Sequence, residues 1–248
     1  MARLPRKQKK KFIQPSCLCL CLLILLIFFL FVCYFFWNSE NYEDKMTDMI
    51  KNIPNLEKSP LAYVFEDMKL KHKKNTLWLE FGVASGNTIN FISTFTKDKV
   101  YGFDSFKGLP EKWRDGFDKG AFDRKGNLPD VSPNVVLVKG WFKDTLPVFM
   151  KQHKGKKISF LHIDADLYSS TKLILGHVKD HLDKDCVVVF DELVNYPGFD
   201  GPKGELKAFY DFVKENKVDY EWIGMNGKPF GMSGAEHENV ALIIHSIK

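Results

Sequence analysis

Two apolar runs each end in a pair of carboxylates: Ile158-Ser159-Phe160-Leu161-His162-Ile163-Asp164-Ala165-Asp166 and Cys186-Val187-Val188-Val189-Phe190-Asp191-Glu192. A short run of β-branched and apolar residues reads as a strand buried on both faces. Such strands need helices on either side, which restricts the chain to an open α/β sheet. Acids just past these strands sit at their carboxyl ends, where open α/β sheets bind ligands. Four carboxylates from two neighbouring strand ends repel one another unless a hard cation offsets them.

The rest of the chain supports that class. Further strand-like runs fall at Thr76–Phe81, Lys99–Asp104, Asn134–Val138, Tyr220–Gly224 and Val240–His245. Helical patterns at Asn87–Thr94, Lys143–Gln152, Ser169–His181 and Glu205–Glu215 lie between most of the strands. The expected fold is a Rossmann-like, mostly parallel seven-stranded sheet, with the last two strands antiparallel at one edge. The alternation breaks from Ser105 to Pro133, where glycines, prolines, Trp113, Phe117 and Phe122 read as a lid over a ligand.

Ahead of this domain, Cys17 to Trp37 is uncharged and almost wholly apolar. As a helix it would extend roughly 31 Å, enough to cross a bilayer core. Arg3, Arg6, Lys7, Lys9, Lys10 and Lys11 precede it, and Glu40, Glu43 and Asp44 follow. The positive-inside rule gives a signal anchor with a cytosolic amino terminus and a lumenal or extracellular domain. The expected organisation is a basic tail (1–16), a membrane span (17–37), a polar stem (38–57) and one domain (58–248). The formal net charge of +5 comes from the basic tail, so it carries no signal for nucleic-acid binding. Cys186 is the one cysteine outside the span, which excludes an internal disulfide in the domain.

The first strand runs into Glu80-Phe81-Gly82-Val83-Ala84-Ser85-Gly86. Gly82 and Gly86 permit a tight turn and close approach to a ligand. The pattern is not the dinucleotide fingerprint, because Ala84 stands where its second glycine would be. Glu80 suits a ligand ammonium rather than a pyrophosphate. Asp104, at the end of the second strand, suits a ribose diol. Together these residues indicate a nucleoside carrying an amino acid, and S-adenosylmethionine is such a molecule. Trp141 follows the third strand and is placed either to stack on an adenine or to close the core.

The segments Glu80–Thr88, Asp104–Pro110, Gly140–Pro147, His162–Thr171 and Val188–Gly198 together resemble the macrocin O-methyltransferase family, across about residues 60–248. That resemblance implies a class I S-adenosylmethionine-dependent enzyme that methylates sugar hydroxyls. It implies a cofactor site at Glu80, Gly82, Ser85, Gly86, Asp104 and Trp141, and Mg²⁺ or Mn²⁺ held by Asp164, Asp191 and Glu192. Asp166 would be the general base, with Asp164 sharing or exchanging that role. Asp166 has a competing reading as the cap of the following helix, and His162 reads as a packed core histidine. The acceptor would be a glycan or another small hydroxylated molecule such as a catechol. A catalytically inactive, membrane-tethered binding domain is the reading from another class, and self-association is possible.

Overall fold

The computed structural model describes residues 15–196, 199, 203–226 and 238–248, without the side chains of 15–19, 21 and 35–41. The basic residues at 3–11, and Pro197 and Gly198 of the last family-like motif, lie outside the described residues. The chain divides into two units, residues 1–45 and 46–248. In the first unit one helix, α1 (Pro15–Ile50, continuing into the second unit), carries the long apolar run. Leu22 through Phe31 expose their side chains along it. Among the described residues, no helix is long and apolar enough to cross a membrane. The expected span at 17–37 therefore rests on the amino-acid sequence alone.

The second unit is a Rossmann-like α/β fold built on a seven-stranded sheet of order β3-β2-β1-β4-β5-β7-β6. Its strands are β1 (Thr76–Phe81), β2 (Val100–Asp104), β3 (Val135–Lys139), β4 (Lys157–Ile163), β5 (Leu182–Phe190), β6 (Asp219–Met225) and β7 (Val240–Ser246). The first five run parallel, and β7 lies antiparallel to both β5 and β6. The chain builds outward from β1 to β3, then returns to lay β4 on the other side of β1. That reversal opens a crevice beyond the carboxyl ends of β1 and β4.

Helices cover both faces, so the central strands are mostly apolar on both sides, with Glu80 of β1 and His162 of β4 as buried ionisable exceptions. One face packs Leu79, Phe81, Leu161, Ile163, Val188 and Phe190 beneath α4 (Phe142–Gln152), α5 (Tyr168–Val178) and α6 (Gly204–Asn216). α6 places Leu206, Phe209 and Phe212 inward at helical spacing, and Phe209 packs 5.3 Å from Phe190, ring centre to ring centre. The opposite face packs Trp78, Phe160, Val187 and Val189 with Val64 and Phe65, which follow the short α2 (Pro60–Ala62), and with Ile89 and Ile92 of α3 (Asn87–Ser93). A Cβ on Gly102 would lie 2.4 Å from Ile89 Cδ1, so the absence of a side chain there lets α3 approach the sheet.

Residues 46–57, expected within a polar stem, belong instead to the folded unit. Met46, Ile50 and Ile53 are buried, and Trp222 Nε1 donates to the Met49 carbonyl at 3.1 Å. Leu56 N donates to Met225 O, and Met225 N donates to Pro54 O. β6 is an edge strand with unpaired backbone groups, and this segment covers that edge. The few apolar residues that do so sit among charges, which hid them from a reading by composition.

Candidate active site

A cavity of about 260 Å³ lies at the carboxyl ends of the parallel strands. Each strand from β1 to β5 supplies part of its wall: Gly82 and Ala84 follow β1, and Asp104 ends β2. Gly140 and Trp141 follow β3, Asp164–Asp166 follow β4, and Asp191 and Glu192 follow β5. The hydrogen-bond ladder continues past the strand ends and fixes these turns: Gly82 N donates to Phe103 O, Asp164 N to Phe81 O and Asp191 N to Ile163 O, each at 2.8–2.9 Å.

Gly82 has φ +90°, and a Cβ there would lie 1.8 Å from the Asp164 carbonyl oxygen. Only glycine lets the β1 turn pass so close to the acids after β4. Asp104 Oδ2 accepts from the backbone N–H groups of Val83 and Ala84, both at 2.9 Å, and Oδ1 accepts from Phe106 N at 2.7 Å. It therefore organises the glycine turn while still lining the cavity. An ionised carboxylate has about four acceptor positions, so one remains for a ligand hydroxyl.

The oxygens of Asp164, Asp166 and Glu192 all come within 4.8 Å of one another, a grouping that could hold a metal ion. Glu192 Oε2 is buried and has no hydrogen-bond partner. Burial raises the pKa of Asp164 and of Glu192 well above the carboxylate range. Asp191 next to Asp164, and Asp164 next to Glu192, raise them further. Burial, then the charge of Asp191, pushes Asp166 up to about 7, while Arg114 opposes the rise. Crowded hard-oxygen donors with an unpaired buried oxygen fit a divalent cation such as Mg²⁺ or Mn²⁺.

Asp191, expected as a ligand, lines the same cavity but falls outside the close grouping of those three. Asn239 Nδ2 donates to its Oδ1 at 2.6 Å and to its backbone oxygen at 2.8 Å. His162 Nε2 lies 3.7 Å from the same Oδ1. Burial alone would raise the Asp191 pKa, but His162, then the Glu192 carboxyl and Asn239, hold it below the usual value. Asp166, expected as the base, joins the trio instead. It does not cap α5: the residue preceding that helix is Leu167, and no side-chain cap bond forms. Asp166 itself has φ +59°, a left-handed turn that keeps its side chain with Asp164 and Glu192.

Three expected cofactor residues do not line the cavity. Glu80 is fully buried in the sheet, level with His162 in the strand register. Its Oε2 lies 3.6 Å from His162 Nδ1, so it faces the histidine inside the sheet and not the cavity. Burial raises the Glu80 pKa despite that neighbour. Ser85 and Gly86 also stay off the wall. Gly86, at φ +84°, faces Pro129 and Val131, whose atoms a Cβ would approach to 3.2–3.3 Å. The Gly86 position therefore serves the packing of the long loop.

That loop does cover the cavity. Ser105, Gly108, Leu109, Pro110 and Phe122 line it, and Phe106 and Leu109 anchor it in the interior. Leu109 N donates to Ala121 O and Gly120 N donates to Leu109 O, which closes the loop on itself. Arg114 lies over the rings of Trp113 and Phe117, at 4.1 and 4.6 Å from their centres. Reading the sequence also missed Glu205 and Asn239, which act on the site from α6 and from the approach to β7. Neither belongs to a strand-end acid pattern, so no local signal marked them.

Residues 79–193 match the family described as "Methyltransferase domain", a stretch that contains every residue lining the cavity. Over 134 residues the chain is 28% identical to demethyldecarbamoylnovobiocin O-methyltransferase of Streptomyces niveus, covering 47% of this chain and 50% of that protein. Over 141 residues it is 27% identical to 8-demethyl-8-(2,3-dimethoxy-alpha-L-rhamnosyl)-tetracenomycin-C 4'-O-methyltransferase of Streptomyces olivaceus, covering 46% and 51%. The chain thus spans about half the length of these curated relatives. Among solved structures it is similar to the calicheamicin methyltransferase CalS11, with a TM-score of 0.47 and 18% identity over 83% of this chain and 92% of that one.

Proposed function

We propose that this methyltransferase domain is an S-adenosylmethionine-dependent O-methyltransferase that uses a divalent metal and acts on a sugar hydroxyl, as the macrocin-type resemblance implies. One observation carries the reading: Asp164, Asp166 and Glu192 converge on one wall of a cavity that Gly82, Asp104 and Trp141 complete. The two Streptomyces relatives, both O-methyltransferases by name, support the same reaction class.

In the proposed reaction an acceptor oxygen–carbon bond forms as the sulfonium carbon–sulfur bond breaks, and the hydroxyl proton passes to a carboxylate. A bound divalent cation would lower the hydroxyl pKa and hold its oxygen in line. The protein supplies the rest by orientation. Asp164, Asp166 and Glu192 would hold the cation. The proton would pass to a carboxylate of this cluster, Asp166 as the resemblance implies, with Asp164 sharing or exchanging that role. Asp104 would take a ribose hydroxyl, and Trp141 would border the adenine. The Leu109–Phe122 loop would exclude water from the transfer.

We further propose that residues 17–37 anchor the protein with its catalytic domain in the lumen of the Golgi or endoplasmic reticulum. The support is the uncharged run and the basic residues before it. Protection of the domain from protease in sealed vesicles, lost on adding detergent, is the expected outcome.

The chemistry is tested by incubating the full-length protein with labelled donor and a panel of glycans and catechols, with and without Mg²⁺ and chelator. Labelled glycan that disappears with chelator and in Asp164→Asn is expected. Preferred labelling of the catechols would move the acceptor to a small diol. Failure to bind S-adenosylmethionine in calorimetry would favour an inactive binding domain.

A further inference from the structure

Glu205 lies in the first turn of α6, yet it is fully buried. It does not line the cavity and does not belong to the trio of acids. Its Oε1 accepts the backbone N–H of Ala165 at 3.1 Å and the hydroxyl of Thr171 at 3.4 Å. Its Oε2 is buried and has no hydrogen-bond partner. Ala165 separates Asp164 from Asp166, so this one carboxylate holds the main chain between two members of the trio.

The segment it holds is bent. Asp166 has φ +59°, and Leu167 N donates to Ala165 O at 2.5 Å across the turn. Left-handed backbone at a non-glycine residue persists only where the surroundings hold it. Gly204, at φ +51°, lets α6 come close: a Cβ there would lie 3.1 Å from the Asp166 carbonyl. A buried carboxylate among acids is otherwise costly, since burial and Asp166 both raise its pKa, to about 8.

We infer that Glu205 is a positioning residue, whose hydrogen bond to the Ala165 amide sets the turn that brings Asp164 and Asp166 together with Glu192. The role is geometric: it needs an acceptor oxygen at that depth, not a charge. The reach to Ala165 stands by itself; the consequence for metal rests on the function proposed above.

Two variants separate reach from ionisation. Glu205→Gln keeps an acceptor oxygen at that depth and cannot ionise. Glu205→Asp keeps an ionisable carboxyl and withdraws it by about 1.5 Å, one carbon–carbon bond. In metal-free full-length protein, amide exchange at Ala165 should be roughly tenfold faster or more in Glu205→Asp and near wild type in Glu205→Gln. Mn²⁺ affinity by calorimetry should follow the same order, weaker by about 10- to 100-fold in Glu205→Asp only. Equal acceleration in both variants, faster exchange in Glu205→Gln alone, or no change in either would overturn the proposal. Loss of protection at Leu79 and Val188 in Glu205→Asp would also overturn it, because Glu205 would then serve the whole fold. If the wild type binds no Mn²⁺, the metal reading fails, and the exchange result still decides the role of Glu205.

Discussion

The buried His162 offers the sharpest quantitative test. It lies between two acids, 3.6 Å from Glu80 Oε2 and 3.7 Å from Asp191 Oδ1, with no exposure of its own. Burial alone would lower its pKa, but Asp191 and then Glu80 hold it well above the usual histidine value. A raised histidine stabilises the fold fully below its unfolded value of about 6.5 and loses that contribution as pH rises through the folded value. The experiment therefore belongs at pH 6. At an effective dielectric of about 20, unit charges at the Asp191 separation attract by about 4 kcal/mol. The Asp191 side chain is 36% exposed, so water screens the pair, and about 2 kcal/mol is the expected coupling. His162→Leu should cost about 3 kcal/mol in urea unfolding, because Asp191 loses its cation while Glu80 stays buried beside it. Asp191→Asn should cost less, and the double variant should recover about 2 kcal/mol relative to the sum. A coupling below about 0.5 kcal/mol, within ordinary additivity, would refute a charged His162 clamp on Asp191.

Three further outcomes follow from the same geometry. The raised folded pKa values of Asp166, about 7, and Glu205, about 8, mean a contribution present below pH 4 and lost as pH climbs through 7 to 8. In chelator, Tm should therefore fall between pH 5 and pH 8, and Mn²⁺ at pH 8 should restore about 5 °C or more; a flat profile in chelator would contradict the uncompensated cluster. Gly82→Ala forces a Cβ to 1.8 Å from the Asp164 carbonyl and should cost about 3 kcal/mol or more in urea unfolding, with Mn²⁺ binding lost. A chain beginning at residue 58 lacks Met46, Ile50 and Ile53 from the core and should unfold far more readily than one beginning at residue 46. Equal thermal stability of the two would return 46–57 to a stem.

Much of the fold was legible because its signals are local. The strand runs differ from the observed strands by a residue or two at most ends, apart from an earlier start for β5 at Leu182. The alternation with helices dictates a mostly parallel sheet. The order of the last strands was only partly legible: β7 inserts between β5 and β6, a choice made by the packing of distant strands. The segment at 46–57 was misread because three apolar residues among charges carry no periodic signal, and only the open edge of β6 gives them a partner.

The acids after β4 and β5 were legible as a group but not in their division of work. Their positions follow from register, which a sequence shows; their partners follow from turns, which it does not. Asp166 joins Asp164 and Glu192 because its own left-handed φ turns it away from capping α5. Asp191 has other partners: Asn239, 48 positions later, reaches back to it, and His162 holds its pKa down. Glu80 was read as facing a ligand since it adjoins a glycine turn, yet it lies one residue short of the strand end, level with His162 inside the sheet. A parallel sheet thus delivers acids to one edge by alternation alone. Residues outside the strand-end acid pattern, namely His162, Glu205 and Asn239, then bias which acid is held ionised and which remain crowded enough to need a cation.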